Sequence, residues 1–381
     1  MLRGTMRRFS TVGSWLDEVR TGAADLAPSR LPYPKLGLAL LLGVIGGWLF
    51  QQLRLPLPWM LGPMTLCTIA ALVQAPIAAP QMIRQPMSAV IGVMLGGTFG
   101  PSVFAHAGAW VGTLVGLVLF MIACGASSVW YLQRFGGVDA KTAYFAGMPG
   151  GLAEMIVIGE ERGADVRAIA LIHGARILTV VMILPFVIQW LAGISLVRGQ
   201  GGAQSIFAAP AINDVLLLAC AVGGSLLGHV LRLPAKNLLG PMIVSAAVHL
   251  AGLSDFKPPF EIVNAAQLVI GVSVGGRFAG IAPRTILALM RLSFGATAIM
   301  LAWTGLFAFA VSRLTGFDTT TVMLAYSPGG LAEMSLIAIA LNAEVALVAA
   351  HHIVRIVLVM VMAAPIFALL RRLGFAATMP L

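Results

Sequence analysis

Two identical heptapeptides, Pro-Gly-Gly-Leu-Ala-Glu-Met, run from Pro149 to Met155 and from Pro328 to Met334, each inside a hydrophobic stretch. Each places a helix breaker and a carboxylate where chain in contact with lipid tolerates neither. Pro-Gly-Gly interrupts a helix and frees backbone N–H groups that hydrocarbon cannot satisfy, so the break must be buried in protein or line an aqueous cavity. Glu154 and Glu333 are ionisable groups in the same costly place, and intramembrane carboxylates face a bundle interior or a pathway. The duplicated pair is the first candidate for a functional site.

The rest of the chain makes lipid the relevant solvent. Of its 381 residues, 59% are hydrophobic and 10% charged, whereas about one quarter of a soluble domain is charged. Apolar runs of about 20 residues, enough to span, cover 36–52, 56–74, 86–104, 108–132 and 166–193. They recur over 211–230, 234–252, 262–281, 291–312 and 344–370. The Pro-Gly-Gly segments, 142–159 and 319–341, are shorter or interrupted and read as broken or re-entrant. The expected fold is all-α, a polytopic membrane helical bundle of about 10–12 membrane elements.

A net charge of +10 does not point to nucleic acid, because Lys and Arg are scattered singly with no basic stripe or aromatic platform. Arg3, Arg7, Arg8, Arg20, Arg30 and Lys35 precede the first span, and Arg371 and Arg372 follow the last, so both ends are expected in the cytoplasm. Residues 1–34 lack the apolar core of a signal peptide. Cys67, Cys124 and Cys220 lie in apolar runs without metal-ligand spacing and read as small core residues.

The heptapeptides belong to a longer repeat. Leu53-Arg54-Leu55-Pro56 matches Leu231-Arg232-Leu233-Pro234, and Leu-Gly-Pro-Met recurs at Leu61 to Met64 and Leu239 to Met242. Gly92, Gly96, Gly97 and Phe99 match Gly271, Gly275, Gly276 and Phe278 one residue further on. The offset of the heptapeptides also relates Asp165 to Glu344, His173 to His352 and Arg176 to Arg355. The expected organisation is a basic tail at 1–34, repeats at 35–197 and 211–372, a linker at 198–210 and a C-terminal tail at 373–381. If the broken segment spans, the copies run parallel; if it is re-entrant, each half crosses five times and they are inverted. Charge gives a divided answer. No Lys or Arg lies between Gly97 and Gln133 while the matching stretch holds Arg277, Arg284 and Arg291, a flip expected of inversion, but Arg54 and Arg232 do not flip.

Gly150 and Gly151, like Gly329 and Gly330, supply a bend before a new half-helix, whose N-terminus is a potential anion site. Glu154 and Glu333 fall in its first turn, where they either cap that half-helix or bind a proton or cation. His173 and Arg176, and likewise His352 and Arg355, are three apart and share one helix face. A mid-helix Arg needs a partner, and Glu154, Glu333 or an anionic solute are the expected ones. Asp165 and Glu344 suit the positive end of that helix. The Gly pairs read mainly as close helix packing. Arg277 replaces Thr98, so the halves differ there.

On these strings the chain resembles the AbrB-duplication family of bacterial integral membrane proteins, labelled AbrB regulators or ammonia monooxygenases, from Gly43 to Leu370. The labels imply gene regulation or ammonia oxidation, whereas the residues favour a secondary transporter or exporter of a small polar or anionic solute, coupled to protons or a cation. Without a P-loop the chain shows no sign of its own ATP hydrolysis. A metal-dependent monooxygenase would need the two Glu and two His to meet beside repelling Arg side chains. An enzyme is therefore disfavoured, and no cofactor, metal or catalytic residue is expected. A regulator would act indirectly, through the metabolite it moves. The expected partners are the solute and the lipid bilayer, with homo-oligomerisation left open.

Overall fold

The computed structural model describes residues 12–25, 27, 31–100, 107–193, 205–207 and 210–374. Most of the expected linker at 198–210, residues 1–11, 26 and 28–30 of the N-terminal segment, and residues 375–381 lie outside these residues. Fifteen α-helices are present among the described residues, and no strand. The first half contributes α1 (Val12–Asp25), α2 (Tyr33–Gln52), α3 (Pro58–Leu72), α4 (Gln81–Gly96), α5 (Trp110–Gly136), α6 (Ala140–Gly147), α7 (Leu152–Glu161) and α8 (Val166–Ala192). The second contributes α9 (Ala211–Val230), α10 (Lys236–Leu250), α11 (Phe260–Gly275), α12 (Pro283–Thr315), α13 (Thr319–Tyr326), α14 (Leu331–Ala340) and α15 (Val345–Arg372). Six helices, α2, α5, α8, α9, α12 and α15, are long and apolar enough to cross a membrane. The basic segment 1–34 contains α1, which packs on α9 and whose Glu18 pairs with Lys236.

The helices form two groups. In the first, α2 packs antiparallel on α3 where Gly46 meets Gly62, and α9 packs on α10 where Gly224 meets Gly240; a Cβ at any of these would collide with backbone. The halves are exchanged. Gly92 and Gly96 of α4 lie on the carbonyls of Leu238 and Met242 in α10, while Gly271 and Gly275 of α11 lie on those of Met60 and Met64 in α3. Small residues let backbones approach in this way without side chains between them.

In the second group, α5 and α12 pack antiparallel. Trp303 Nε1 donates to Ser127 Oγ at 3.0 Å and Phe307 stacks edge-on against Phe120. Gly112 faces Thr315 at one end of the pair, and Gly136 faces Leu292 at the other. These helices match at an offset of 179, so equivalent chain runs in opposite directions. The same holds in the first group, where α4 starts beside the end of α3 but runs parallel to α10. Ala78 N donates to Lys35 O, which keeps the α3–α4 connection at that end.

Both Pro-Gly-Gly segments are hairpins that turn back. Asp165 N, after α7, donates to Thr142 Oγ1 at the start of α6 at 2.8 Å, so the two ends of the α6–α7 segment lie together. In the second copy Phe317, Asp318 and Thr321 line one cavity with Leu341, Asn342 and Glu344, which brings the ends of the α13–α14 segment together. The tips, Met148–Gly151 and Ser327–Gly330, are extended: Met148 has φ −68° and ψ 139°, Ser327 φ −56° and ψ 140°.

Candidate functional site

The helix after each hairpin holds its tip. Arg176 donates from Nη1 to Met148 O and from Nη2 to Gly150 O, both at 2.9 Å. At the same offset Arg355 donates from Nη1 to Ser327 O and from Nη2 to Gly329 O. His173 Nε2 donates to Phe145 O at 2.9 Å, and His352 Nε2 to Leu324 O at 3.0 Å. Breaking a helix orphans carbonyls at its end, and buried orphans are costly. A guanidinium fork is the side chain suited to collect two of them. Sequence spacing placed His and Arg correctly on one face. Of the partners expected for them, Glu154, Glu333 or an anionic solute, Arg176 and Arg355 bond neither carboxylate and instead hold backbone oxygens, because the carbonyls released by the break lie within reach on the same side.

His352 Nδ1 accepts a hydrogen bond from Arg355 Nη2 at 3.0 Å, which with the Nε2 donation defines one neutral tautomer. His173 Nδ1 has no such partner. The Asp165 carboxylate accepts from the amides of Arg167 and Ala168 and caps α8, in agreement with the dipole argument. Glu344 makes no side-chain cap bond.

Glu154 and Glu333 both fold back over the glycine that precedes their half-helix; a Cβ at Gly151 or Gly330 would collide with Oε2 of the respective Glu. Neither makes a side-chain capping hydrogen bond. Their surroundings differ. All of α14 from Leu331 to Ala338 is buried, Glu333 included at 3% exposure, whereas in α7 only Met155 and Gly159 are buried. Glu333 Oε1 lies 3.7 Å from Arg84 Nη2 of α4. This ion pair joins the two helix groups.

Arg277, in the 3-10 turn Gly276–Phe278, belongs to the same cluster. It lies within electrostatic range of Arg84 and Glu333, and of His173 on α8, with its Cδ beside Gly174. Its Nη1 is buried without a hydrogen-bond partner, as is Nε of Arg84. Sequence reasoning noticed Arg277 only as a replacement for Thr98 and passed over Arg84. The available signal was an Arg in an apolar run with no counterpart in the other copy.

Both hairpins pack on α5. Met148 and Pro149 pack at Gly125 of α5, and Gly150 packs at Val359 of α15. Tyr326, just before the second tip, donates to Thr113 O and stacks on Phe120 of the same α5. Arg176 and Arg355 are within electrostatic range of each other and of Cys124. His351, adjacent to His352 but unremarked in the sequence, bonds Thr113 Oγ1 through Nε2 at 2.9 Å. Among the described residues, no three His, Cys, Asp or Glu side chains converge as a metal-ligand set.

A family model described as "Transition state regulatory protein AbrB" matches residues 59–371. The chain is 28% identical over 358 residues to the uncharacterized protein YhjN of Bacillus subtilis (strain 168), covering 86% of this chain and 91% of that relative. It is 26% identical over 329 residues to an Escherichia coli (strain K12) protein whose name presents it as a candidate regulator, AbrB, covering 86% of this chain and 93% of the relative. The matched span takes in both hairpins and the helices that hold them, and the chain belongs to the AbrB family.

Proposed function

We propose that the protein is a secondary transporter of a small polar or anionic solute, resident in the bacterial inner membrane with both termini in the cytoplasm. The observation that supports this reading is a pair of hairpins that both turn back against α5, the first tip at Gly125 and the second anchored by Tyr326 to Thr113, beside helices of opposite direction. Broken segments facing each other across inverted repeats are how secondary transporters build a central binding site. With each hairpin turned back, each half crosses the bilayer five times, and the hairpins enter from opposite faces. The unequal burial of α7 and α14 supports the same reading, because exchanging those environments between the two hairpins would expose the site first to one side and then to the other. Glu154 and Glu333 are the groups that exchange a proton or cation with the solute step.

Regulation, as in the names of the family and one relative, follows indirectly when a moved metabolite alters gene expression. His352 has both ring nitrogens engaged, Nε2 on Leu324 O and Nδ1 on Arg355 Nη2, which leaves it none for a metal. The direct test compares metabolites inside cells with and without the gene and then measures uptake of the responding solute in proteoliposomes. Unchanged metabolites and no flux for any responding solute would remove the transport reading.

A further inference from the structure

The charges at the seam between the helix groups do not balance. Arg84 and Arg277 are cations, Glu333 is the one carboxylate within electrostatic range of Arg277 among the described residues, and the set carries one uncompensated positive charge. Arg84 has its partner in Glu333, while the Nη1 atom of Arg277 is buried and bonded to nothing. Arg277 is only partly buried, but its enclosed Nη1 donor has no partner; an enclosed donor left unbonded is costly, and proteins keep such groups where a ligand completes them. The two guanidinium groups also belong to different helices of the exchanged group, α4 and the turn after α11, and so converge only in the folded chain.

We propose that Arg84, Arg277 and Glu333 form a single site for a small monocarboxylate, with Arg277 as its principal donor. The reasoning rests on the transport reading above only in taking this ligand to be the solute. One negative charge neutralises the set, which favours a monoanion over sulfate or a phosphate monoester. A carboxylate matches the planar fork of Arg277. Glu333 keeps Arg84 in place and repels a second negative charge. The site is one per chain, because the position equivalent to Arg277 is Thr98 in the other half. Arg84 retains 24% side-chain exposure, while Glu333 is nearly enclosed. The carboxylate role expected of Arg176 and Arg355 thus passes to a pair of arginines that the backbone does not consume.

The test uses purified full-length protein in detergent, titrated with sodium acetate, benzoate or sulfate against sodium chloride at matched ionic strength, with unfolding temperature and calorimetric binding as readouts. Arg277→Thr installs the residue the other half uses. Acetate or benzoate is expected to bind the native protein, with half-saturation about tenfold or more weaker in Arg277→Thr, since hydrogen bonds to charged groups carry roughly that discrimination. Arg277→Lys, which keeps the charge and loses the fork, should fall between them. Without ligand, Arg277→Thr should unfold at the same or a higher temperature, because it removes an enclosed donor that has no partner. A lower unfolding temperature would make Arg277 a structural residue and overturn the proposal. Equal carboxylate binding by native and variant protein, no carboxylate binding at all, or tighter binding of sulfate would do the same. In proteoliposomes, Arg277-dependent binding without uptake keeps the site and removes transport, whereas solute uptake that is unchanged in Arg277→Thr keeps transport and removes the site.

Discussion

Arg355 donates from Nη2 to the carbonyl oxygen of Gly329 at 2.9 Å, across a tip that Pro328 has taken out of helical geometry. Its counterpart Arg176 does the same for Gly150. The arginine satisfies backbone oxygens that the break frees, and it does so from the helix that follows the hairpin, which ties tip to helix. At the glycines the nearest neighbours are side-chain ends that would have to shift to admit a methyl. A Cβ at Gly150 would press on Val359 at 2.7 Å, and one at Gly329 on Met334 Cε at 2.6 Å.

Arg355→Lys should therefore destabilise the protein by about 2–4 kcal/mol, because an ammonium cannot serve both carbonyls and one buried acceptor is left without a partner. Arg176→Lys should behave alike. Unfolding of the detergent-solubilised variants, followed by temperature or denaturant, checks this. Native stability in both would show that the clamp is dispensable.

The two acidic residues of the heptapeptides should respond differently. Glu333→Gln strands Arg84 and Arg277 together in a buried seam and should lower stability by roughly 3 kcal/mol, the scale of breaking a buried pair. Glu154, on the more exposed α7 and without an ion pair among the described residues, should tolerate Gln within about 0.5 kcal/mol. Comparing unfolding midpoints of the two single variants measures the contrast.

Helix exchange between the halves makes a reciprocal prediction. Gly92→Ala and Gly271→Ala each set a methyl against a carbonyl of the opposite half, Leu238 or Met60, and should each cost about 2 kcal/mol through forced separation of the helices. Gly37→Ala in α2, where nothing lies within 4 Å of the added methyl, should instead gain roughly 0.5–1 kcal/mol from reduced chain entropy. Equal effects at all three positions in thermal unfolding would rule out the close-approach explanation.

Hairpin topology is open to chemical labelling. Cys67, Cys124 and Cys220 are buried, so a single introduced thiol can be followed. Lys141→Cys and Arg162→Cys, at the two ends of the first hairpin, should react with a membrane-impermeant maleimide from the same side of the membrane. Arg313→Cys and Asn342→Cys, flanking the second, should react from the other side. Reaction of Lys141→Cys and Arg162→Cys from opposite sides would mean that the broken segment spans.

What the amino-acid sequence determined is local. Apolar runs, Pro-Gly-Gly breaks and an offset that holds from Leu53 to Arg355 are enough for an all-helical chain with two interrupted segments, and a spacing of three puts His173 with Arg176 on one face. These features depend only on neighbours along the chain, where helical period and breaker chemistry operate. The tertiary structure decided whether each break continues or turns back, because that depends on where Thr142 finds Asp165. It also decided that Arg176 and Arg355 serve carbonyl oxygens, and that Glu333 meets Arg84 from a distant part of the chain. A guanidinium takes whichever acceptor packing brings within reach, and a carbonyl released by a break is invisible in a list of side chains. The heptapeptides mark the breaks; the meeting of Arg84 with Glu333 emerges only when the helices of the two halves are interleaved.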